Sequence, residues 1–391
     1  MDYAGHGDPT QMSHESVLKL TDFADFRNTN LPLWVTASCD IMPFDGLEAN
    51  IGEYALLNDK GGAVAFYGTT RTVYAQYNRH INRAFIHRVL SLVDGKPITI
   101  GEAHRLAQND LVSGNGPTSG SDVTVNHLHY SLLGDPALAL NLPMHQIVVD
   151  SINGIPVAGA ATLPMLKAGS IARMAGHIEG ADDFRGVITA TVRDSKETVT
   201  CRLNDTGKDG AEKAFEYKDR TKTLYQGTDS VRGGKFTFSF AVPLDINYSN
   251  QSGLVNLYAV NTAKTLSAHG SSEQFTVGES EEQKNDSIGP SIYCYLNSPS
   301  FVDGGNVNTT PFFVAKIIDK DGINAAGSGI GHDLQLVIDG DMSKAYVLNS
   351  NFIYDFGTYT SGSTYYSIPH WNRASTNSPS VPGISRTTVL R

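Results

Sequence analysis

The chain of 391 residues lacks an excess of basic residues, since 30 lysines and arginines face 40 aspartates and glutamates for a net charge of -10. It therefore has no basic stripe to neutralise phosphates, which argues against nucleic acid as a partner. It also lacks any run of about 18 apolar residues, so no membrane-spanning helix is predicted. The first residues contain no basic segment followed by an apolar one and do not form a signal peptide.

Cysteine is scarce as well. The three cysteines, Cys39, Cys201 and Cys294, lie far apart in the sequence. An odd and widely spaced set makes neither a disulfide framework nor a zinc site. No metal and no cofactor are expected. The low count does not identify the compartment, because surface proteins of many bacteria also carry few cysteines.

What the chain does have is an α/β pattern at its start. Residues 31–37 and 61–68 are nearly continuous apolar runs, which are typical of buried parallel strands. Helical spacing of apolar residues predicts helices at 51–57, 77–93 and 100–112. Alternating strands and helices predict a mostly parallel sheet covered by helices over residues 1–143.

After Pro143 the pattern changes to short alternating segments separated by turn residues. Residues 147–278 have no helical periodicity, and their alternation predicts an antiparallel β-sandwich of immunoglobulin-like layout. The polar, acidic residues 279–286 are interpreted as a linker. Residues 287–370 are expected to form a second β-rich, immunoglobulin-like domain that is truncated at its end.

The two ends of the chain look unusual. Residues 371–391 are rich in Ser, Thr, Asn and Arg and have no alternation, whereas a shifted reading frame permits a good turn and strand there. We expect this tail to be non-native or frameshifted. Residues 1–5 look like the end of a buried strand, which needs neighbours on both sides. We therefore expect the chain to be an internal piece of a longer protein.

Two strand-to-loop junctions near the start carry reactive side chains. Gly-His-Gly at residues 5–7 offers the imidazole of His6, and Ala-Ser-Cys-Asp at residues 37–40 offers the thiol of Cys39. Because parallel strands end at the same edge of a sheet, these two side chains are expected to meet there. A thiol needs a nearby base to become the attacking thiolate. The pair therefore predicts a cysteine peptidase or acyl-transfer site.

Both residues also have an ordinary structural explanation. Cys39 fits a buried thiol, since free cysteine is often fully buried, and His6 fits a tight turn. Gly7 favours the functional interpretation, because a glycine lets a substrate approach and its N–H can face a developing oxyanion. Asp40 and Arg71 follow strands as well and are candidates for lining the cleft.

These residues carry a resemblance to a known family. The Gly-His-Gly and Ala-Ser-Cys-Asp segments resemble the catalytic histidine and cysteine loops of the gingipain family of C25-type cysteine peptidases, which have a caspase-like fold. The sortase branch of that family, which serves type IX secretion, is the more similar branch. The supporting stretches are residues 60–65, 69–74, 101–103 and 132–138. The resemblance implies that His6 is the general base and acid, that Cys39 is the nucleophile, and that the N–H groups of Gly7 and Cys39 form the oxyanion hole.

The resemblance also implies a place and partners. Sortases of this branch act at the cell surface, associated with the outer membrane. They remove a C-terminal secretion signal from exported proteins through a thioester and join the new carboxyl end to an amine of surface lipopolysaccharide or a related glycolipid. The implied partners are the exported proteins, that acceptor and an outer-membrane secretion component.

Two other functions stay open at this point. One is a secreted gingipain-like protease, and the other is a catalytically degenerate scaffold or adhesion protein of the cell surface. The family carries further strands and a histidine-orienting acidic residue before the histidine loop. Because this chain lacks them, we expect it to have an exposed sheet edge and to be poorly active or insoluble when expressed alone.

Overall fold

A computed structural model describes residues 1–202, 213–281, 288–302, 305–326, 333–338 and 341–369. The first compact unit ends at Leu142 and the second begins at Pro143. The tail at 371–391 and most of the linker at 279–286 lie outside the described residues. Within the described residues, no helix has both the length and the apolar character needed to cross a membrane.

The first unit alternates strands with helices, as the sequence predicts. Its helices are α1 (Leu20–Asp25), α2 (Ile51–Leu57), α3 (Ala75–Val89) and α4 (Ile100–Ser113). Its strands are β1 (Asp2–Ala4), β2 (Gln11–Met12), β3 (Leu18–Lys19), β4 (Leu33–Ala37), β5 (Ala65–Thr69), β6 (Leu92–Val93), β7 (Lys96–Pro97) and β8 (Tyr130–Gly134). A 3-10 helix, Val125–His129, leads into β8.

The main sheet of this unit has the strand order β1-β4-β5-β8. Strands β1, β4 and β5 run parallel, whereas β8 is antiparallel to β5. Every residue of β4 and β5 is buried, because apolar side chains cover both faces of the sheet. Val35 and Tyr67 face a core with α3 and α4, and Trp34 and Phe66 face a core with α2.

The predicted helix at 77–93 begins and ends earlier than expected. Helix α3 stops at Val89, and the next apolar residues form the hairpin of β6 and β7. Asp94 and Gly95 join the two strands, with φ angles of 51° and 72°. An Asp-Gly pair adopts this left-handed geometry readily and is typical of a two-residue hairpin turn. The Asp-Gly turn therefore favours a hairpin here, although the helical spacing of apolar residues continues beyond Val89.

His104 on α4 makes the stability of the first unit depend on pH. Its Nδ1 lies 3.3 Å from the hydroxyl of Tyr67, and burial lowers the pKa of the imidazole. The unfolded chain takes up a proton near the ordinary histidine pKa of about 6.5, whereas the folded chain resists protonation until lower pH. The stabilisation is therefore complete above that pKa and is lost as the pH falls below it.

We expect the free energy of unfolding to decrease between about pH 7 and about pH 5, and to decrease less in His104→Gln. Urea titrations at each pH measure the two slopes. Equal slopes in the variant and the parent chain would show that another group controls the pH dependence.

The second unit is built from strands. They are β9 (His145–Ile152), β10 (Ile155–Pro156), β11 (Met165–Ala168), β12 (Ile171–Ile178), β13 (Gly186–Arg193), β14 (Glu197–Thr200), β15 (Glu216–Asp219), β16 (Thr223–Arg232), β17 (Lys235–Ala241), β18 (Gln251–Ser252), β19 (Leu254–Asn261), β20 (Ser267–Ser272) and β21 (Thr276–Ser280). They continue with β22 (Ser291–Leu296), β23 (Phe312–Ile318), β24 (Gln335–Val337), β25 (Ala345–Val347), β26 (Ile353–Tyr354) and β27 (Ser361–Ser367).

Seven of these strands form a closed sheet rather than the two layers of the predicted sandwich. Their order is β9-β12-β17-β16-β13-β19-β20, and β20 pairs with β9 in parallel, with Ala268 opposite His145. Phe236, Phe238 and Phe240 on β17 are buried, and the residues between them are more exposed. This alternation is the same in a sandwich and in a closed sheet, because each buries one face of every strand. The pairing of the end strands is the difference, and it is a long-range contact that local alternation does not show.

The part of the chain after the linker is β-rich, as the sequence predicts. Strands β22, β23, β27 and β26 form an antiparallel sheet, and β24 pairs with β25 in a hairpin. Phe313 of the sheet and Leu336 of the hairpin belong to one hydrophobic core, which continues into the closed sheet. The rings of Tyr225 and Tyr354 meet in this core with centroids 5.1 Å apart.

Candidate active site

The register of β1 and β4 places the two predicted catalytic residues at the same level. Ala4 lies opposite Ala37, and the N–H of Gly5 donates to the carbonyl of Ala37 at 3.2 Å. His6 and Cys39 each follow two residues after that aligned pair. The structure therefore places both residues at one level, just beyond the carboxyl ends of two paired strands. The contact between their side chains stays a prediction.

The two side chains differ in their surroundings. Cys39 is half-buried, packs against the core with α3 and α4, and donates its thiol to the carbonyl of Val73 at 3.4 Å. His6 is exposed. In the part of the chain that the structure describes, no hydrogen bond joins the imidazole to the sulfur. Catalytic hydrogen bonds are often long or misaligned without substrate and tighten when it binds.

A small hairpin holds the backbone of His6. Its carbonyl accepts the N–H of Ser13 at 2.7 Å and the hydroxyl of Tyr3 at 2.6 Å. Asp8 then donates its N–H to the carbonyl of Gln11 at 3.0 Å. His6 therefore lies on a loop whose backbone is fixed by hydrogen bonds, and its imidazole remains exposed.

Gly7 occupies a position with no room for a side chain. A β-carbon there would collide with Oγ of Ser38 and lie 3.0 Å from Cδ1 of Ile41. Ser38 and Ile41 are both fully buried, so neither can move aside easily. Gly7 therefore packs directly on the segment that carries Cys39.

The backbone N–H groups of Gly7 and Cys39 take no part in the hydrogen bonds of the described residues. Among the described residues, the structure shows no intramolecular acceptor for either group. An oxyanion hole requires donors that are free in this way. The assignment of these two groups to an oxyanion hole stays a prediction, and their availability agrees with it.

The segment after Cys39 is fastened to the loop that follows β5. The N–H of Asp40 donates to the carbonyl of Arg71 at 3.2 Å, and its carboxylate accepts the hydroxyl of Thr72 at 2.6 Å. Asp40 has a φ of 45°, in the left-handed region that is strained for most side chains. Aspartate tolerates this region better than most residues. Asp40 thus fixes the direction in which the chain leaves Cys39.

Two substitutions at Asp40 are expected to separate the contribution of its backbone conformation to stability from the contribution of its charge. Asp40→Asn tolerates the same φ and can still accept from Thr72, so we expect the free energy of unfolding to change by less than about 0.5 kcal/mol. Asp40→Val places a branched side chain at positive φ and loses that hydrogen bond, which costs about 2 kcal/mol. Urea denaturation measures both. Equal stability of the two variants would show that the φ of residue 40 imposes no constraint.

Arg71 pairs with a carboxylate of the segment that follows Cys39. Its guanidinium contacts both oxygens of Asp45, at 2.9 and 2.5 Å, and these hydrogen bonds lower the pKa of the Asp45 carboxyl. Both side chains are about half exposed. Arg71 therefore connects the segment after Cys39 to the exit of β5. Its predicted place in the cleft stays a prediction.

Tyr130 on β8 is a residue near Cys39 that the sequence did not single out. Only 2% of it is exposed, and its hydroxyl has no hydrogen-bond partner in the described structure. Burial raises the pKa of its phenol, and the nearby Cys39 and Asp2 raise it further. Tyr130 is thus a neutral hydroxyl close to the thiol. In the sequence, a tyrosine within an apolar strand is indistinguishable from an ordinary core residue. No sequence signal therefore indicated that Tyr130 lies near the thiol.

Comparison with known proteins identifies the first unit. Residues 1–141 match the family model described as peptidase family C25. The first unit belongs to this gingipain family. The C25 match confirms the family expected from the histidine and cysteine loops.

Two solved structures are similar to the chain. One is the dimeric latent PorU from Porphyromonas gingivalis, with 32% sequence identity, a TM-score of 0.41, and coverage of 80% of this chain and 29% of that one. The other is described as a protease, with 14% identity, a TM-score of 0.28, and coverage of 69% and 53%. The chain thus spans less than a third of PorU and about half of the second structure. No curated protein matches the chain.

Proposed function

We propose that the C25 unit is the nucleophile half of a cysteine endopeptidase, with Cys39 as nucleophile and His6 as general base and acid. The observation that carries the proposal is the register of β1 with β4, which brings both residues to one level at the carboxyl edge of the sheet. The free N–H groups of Gly7 and Cys39 support it. On this proposal the sheet is the carboxyl half of a caspase-like sheet.

The chemistry follows from these groups. His6 accepts the proton of Cys39, and the thiolate attacks the carbonyl carbon of the scissile peptide bond. The N–H groups of Gly7 and Cys39 stabilise the resulting oxyanion. Collapse breaks the C–N bond, His6 returns the proton to the leaving amine, and a thioester remains on Cys39. A second nucleophile then attacks the thioester and loses its proton to His6, which restores the thiol.

We further propose that this second nucleophile is an amine, so that the site acts as a sortase. The similarity of the histidine and cysteine loops to the sortase branch supports this. The substrates are exported proteins that carry a C-terminal secretion signal, and the acceptor is an amine of surface lipopolysaccharide or a related glycolipid. The protein works at the cell surface with an outer-membrane component of type IX secretion, and its β-rich unit docks the cargo.

Alkylation by iodoacetamide tests the proposed pair, because the reagent reacts with thiolates. Cys39 is expected to react faster than Cys201, although Cys201 is the more exposed cysteine. His6→Gln is expected to slow the alkylation of Cys39 about tenfold and to leave Cys201 unchanged. Peptide mapping by mass spectrometry measures both rates in one sample. A Cys39 that reacts more slowly than Cys201 would favour the degenerate scaffold instead.

A further inference from the structure

An open pocket of about 400 Å³ lies beside the candidate catalytic histidine. Its lining residues are His6, Gly7, Asp8, Gln11, Ser13 and His14. All of them belong to the loop and hairpin that follow β1, and Cys39 does not line the pocket. The pocket therefore opens on the histidine side of the site, and we call it the Asp8 pocket.

The carboxylate of Asp8 is held in a fixed position. Its Oδ1 accepts the N–H of Thr10 at 2.7 Å, the hydroxyl of Thr10 at 2.7 Å and the N–H of Gln11 at 3.0 Å. Burial by itself would raise the pKa of Asp8, but the hydrogen bonds from Thr10 and Gln11 outweigh it and the pKa lies below its ordinary value. Asp8 is therefore ionised at neutral pH, and its turn keeps the charge in place.

The charge of the Asp8 pocket favours a cation. None of its six lining residues is a lysine or an arginine. The imidazoles of His6 and His14 line the same space. A fixed carboxylate attracts an ammonium group, and an imidazole nitrogen beside it can accept one of the ammonium protons.

The position of the pocket indicates which step of the reaction involves it. A nucleophile that attacks a thioester must give a proton to the catalytic histidine, so it has to approach within hydrogen-bond reach of that imidazole. The Asp8 pocket contains this approach, because His6 is part of its wall. The acyl group, in contrast, is attached to Cys39, and Cys39 does not line the pocket.

We propose that the Asp8 pocket binds the primary amine that receives the acyl group from Cys39, with Asp8 pairing to its ammonium form. The inference rests on the proposed function. The ammonium first gives one proton to water. The neutral amine then attacks the thioester carbon, so that a C–N bond forms and the C–S bond breaks. His6 takes the second proton from nitrogen and passes it to the departing thiolate.

Titration of the full chain with ethanolamine tests the binding step without requiring turnover. The NMR signals of the His6 and His14 side chains are expected to shift and saturate with ethanolamine and to stay in place with ethylene glycol, which lacks the amine. Asp8→Asn keeps an oxygen that can accept from Thr10 and Gln11 but removes the charge. It is expected to raise the dissociation constant about tenfold.

Asp135→Asn is the matched control. Asp135 also caps a turn of the first unit, through the N–H of Ala137 at 2.9 Å, and is exposed outside the pocket. Its replacement removes the same charge and is expected to leave the dissociation constant unchanged. A second variant, Asp8→Ser, also removes the charge, and its serine hydroxyl can still cap the turn. It shows whether an effect of Asp8→Asn comes from the loss of charge or from the new amide group. Unchanged ethanolamine binding in both Asp8 variants would overturn the proposal.

A transfer assay distinguishes an acceptor amine from a lysine of the substrate. A peptide thioester is supplied with ethanolamine, and the ratio of amide to acid product is measured by mass spectrometry. Asp8→Asn is expected to lower that ratio about tenfold. If Cys39 is alkylated rapidly and ethanolamine binds but no amide forms, the pocket holds a substrate cation and the acceptor assignment is wrong. If Cys39 shows ordinary reactivity while ethanolamine binds, the proposed function fails and the ammonium site itself remains.

Discussion

Cys39→Ala is expected to reduce peptide cleavage at least about 10³-fold, because the variant has no group that can form the thioester. The loss should be visible in two measurements. Cleavage of a fluorogenic peptide reports turnover, and the intact mass after an acid quench reports the acyl-enzyme. The second measurement is the stronger one for a chain of low activity, since a single acylation event per molecule is enough to detect.

The control for this prediction is Cys201→Ala, which removes an exposed cysteine of the second unit. It should keep both the cleavage rate and the acyl-enzyme. Acylation that persists in Cys39→Ala but disappears in Cys201→Ala would place the nucleophile elsewhere. Cleavage that is unaffected by either change would show that a contaminating peptidase is responsible.

Gly7→Ala is expected to have the second largest effect, because it disturbs both packing and chemistry. The added methyl group collides with Oγ of the buried Ser38 and approaches Ile41. Overpacking of this kind costs about 1–3 kcal/mol. The N–H of residue 7 is also displaced from the oxyanion position, and the loss of one such donor lowers the rate about 10²-fold or more. Urea denaturation and acyl-enzyme formation measure the two effects separately.

Ser38→Ala provides the control for Gly7→Ala. The hydroxyl of Ser38 is buried and has no hydrogen-bond partner in the described structure, so its removal should change stability by less than about 0.5 kcal/mol. In the double variant the collision with Oγ is absent. We therefore expect the double variant to recover part of the stability lost in Gly7→Ala. A double variant as unstable as Gly7→Ala alone would show that the Ser38 contact is not the cause.

Much of the first unit was accessible from sequence because its signals are local. The apolar runs that became β4 and β5 are buried along their whole length. The helix predicted at 51–57 is α2, where Asn50 caps the N–H of Glu53 and the Glu53 side chain accepts from Asn50 in return. Such a capping box can be recognised from the amino-acid sequence. The placement of His6 and Cys39 at one level followed from parallel strands alone, and the meeting of their side chains stays a prediction.

The features that sequence did not reveal depend on contacts between distant residues. Gly7 was expected to let substrate approach, but its contact with Ser38 depends on how two loops pack. The same holds for Tyr130, which approaches Cys39 from an antiparallel strand that no local signal orients. The sequence analysis did not single out Asp8, and only the fold shows that its turn forms the wall of a pocket beside His6.

The closed sheet of the second unit constrains the order of events while the chain is being synthesised. Because β20 completes the ring by pairing with β9, the ring cannot close before residues 267–272 have left the ribosome. Until then β9 has an unpaired edge, which other nascent chains can bind. The last strand of the first unit's main sheet, β8, ends at Gly134, well before that point in the chain. A growing chain halted between these two points therefore carries an unpaired strand edge that favours aggregation.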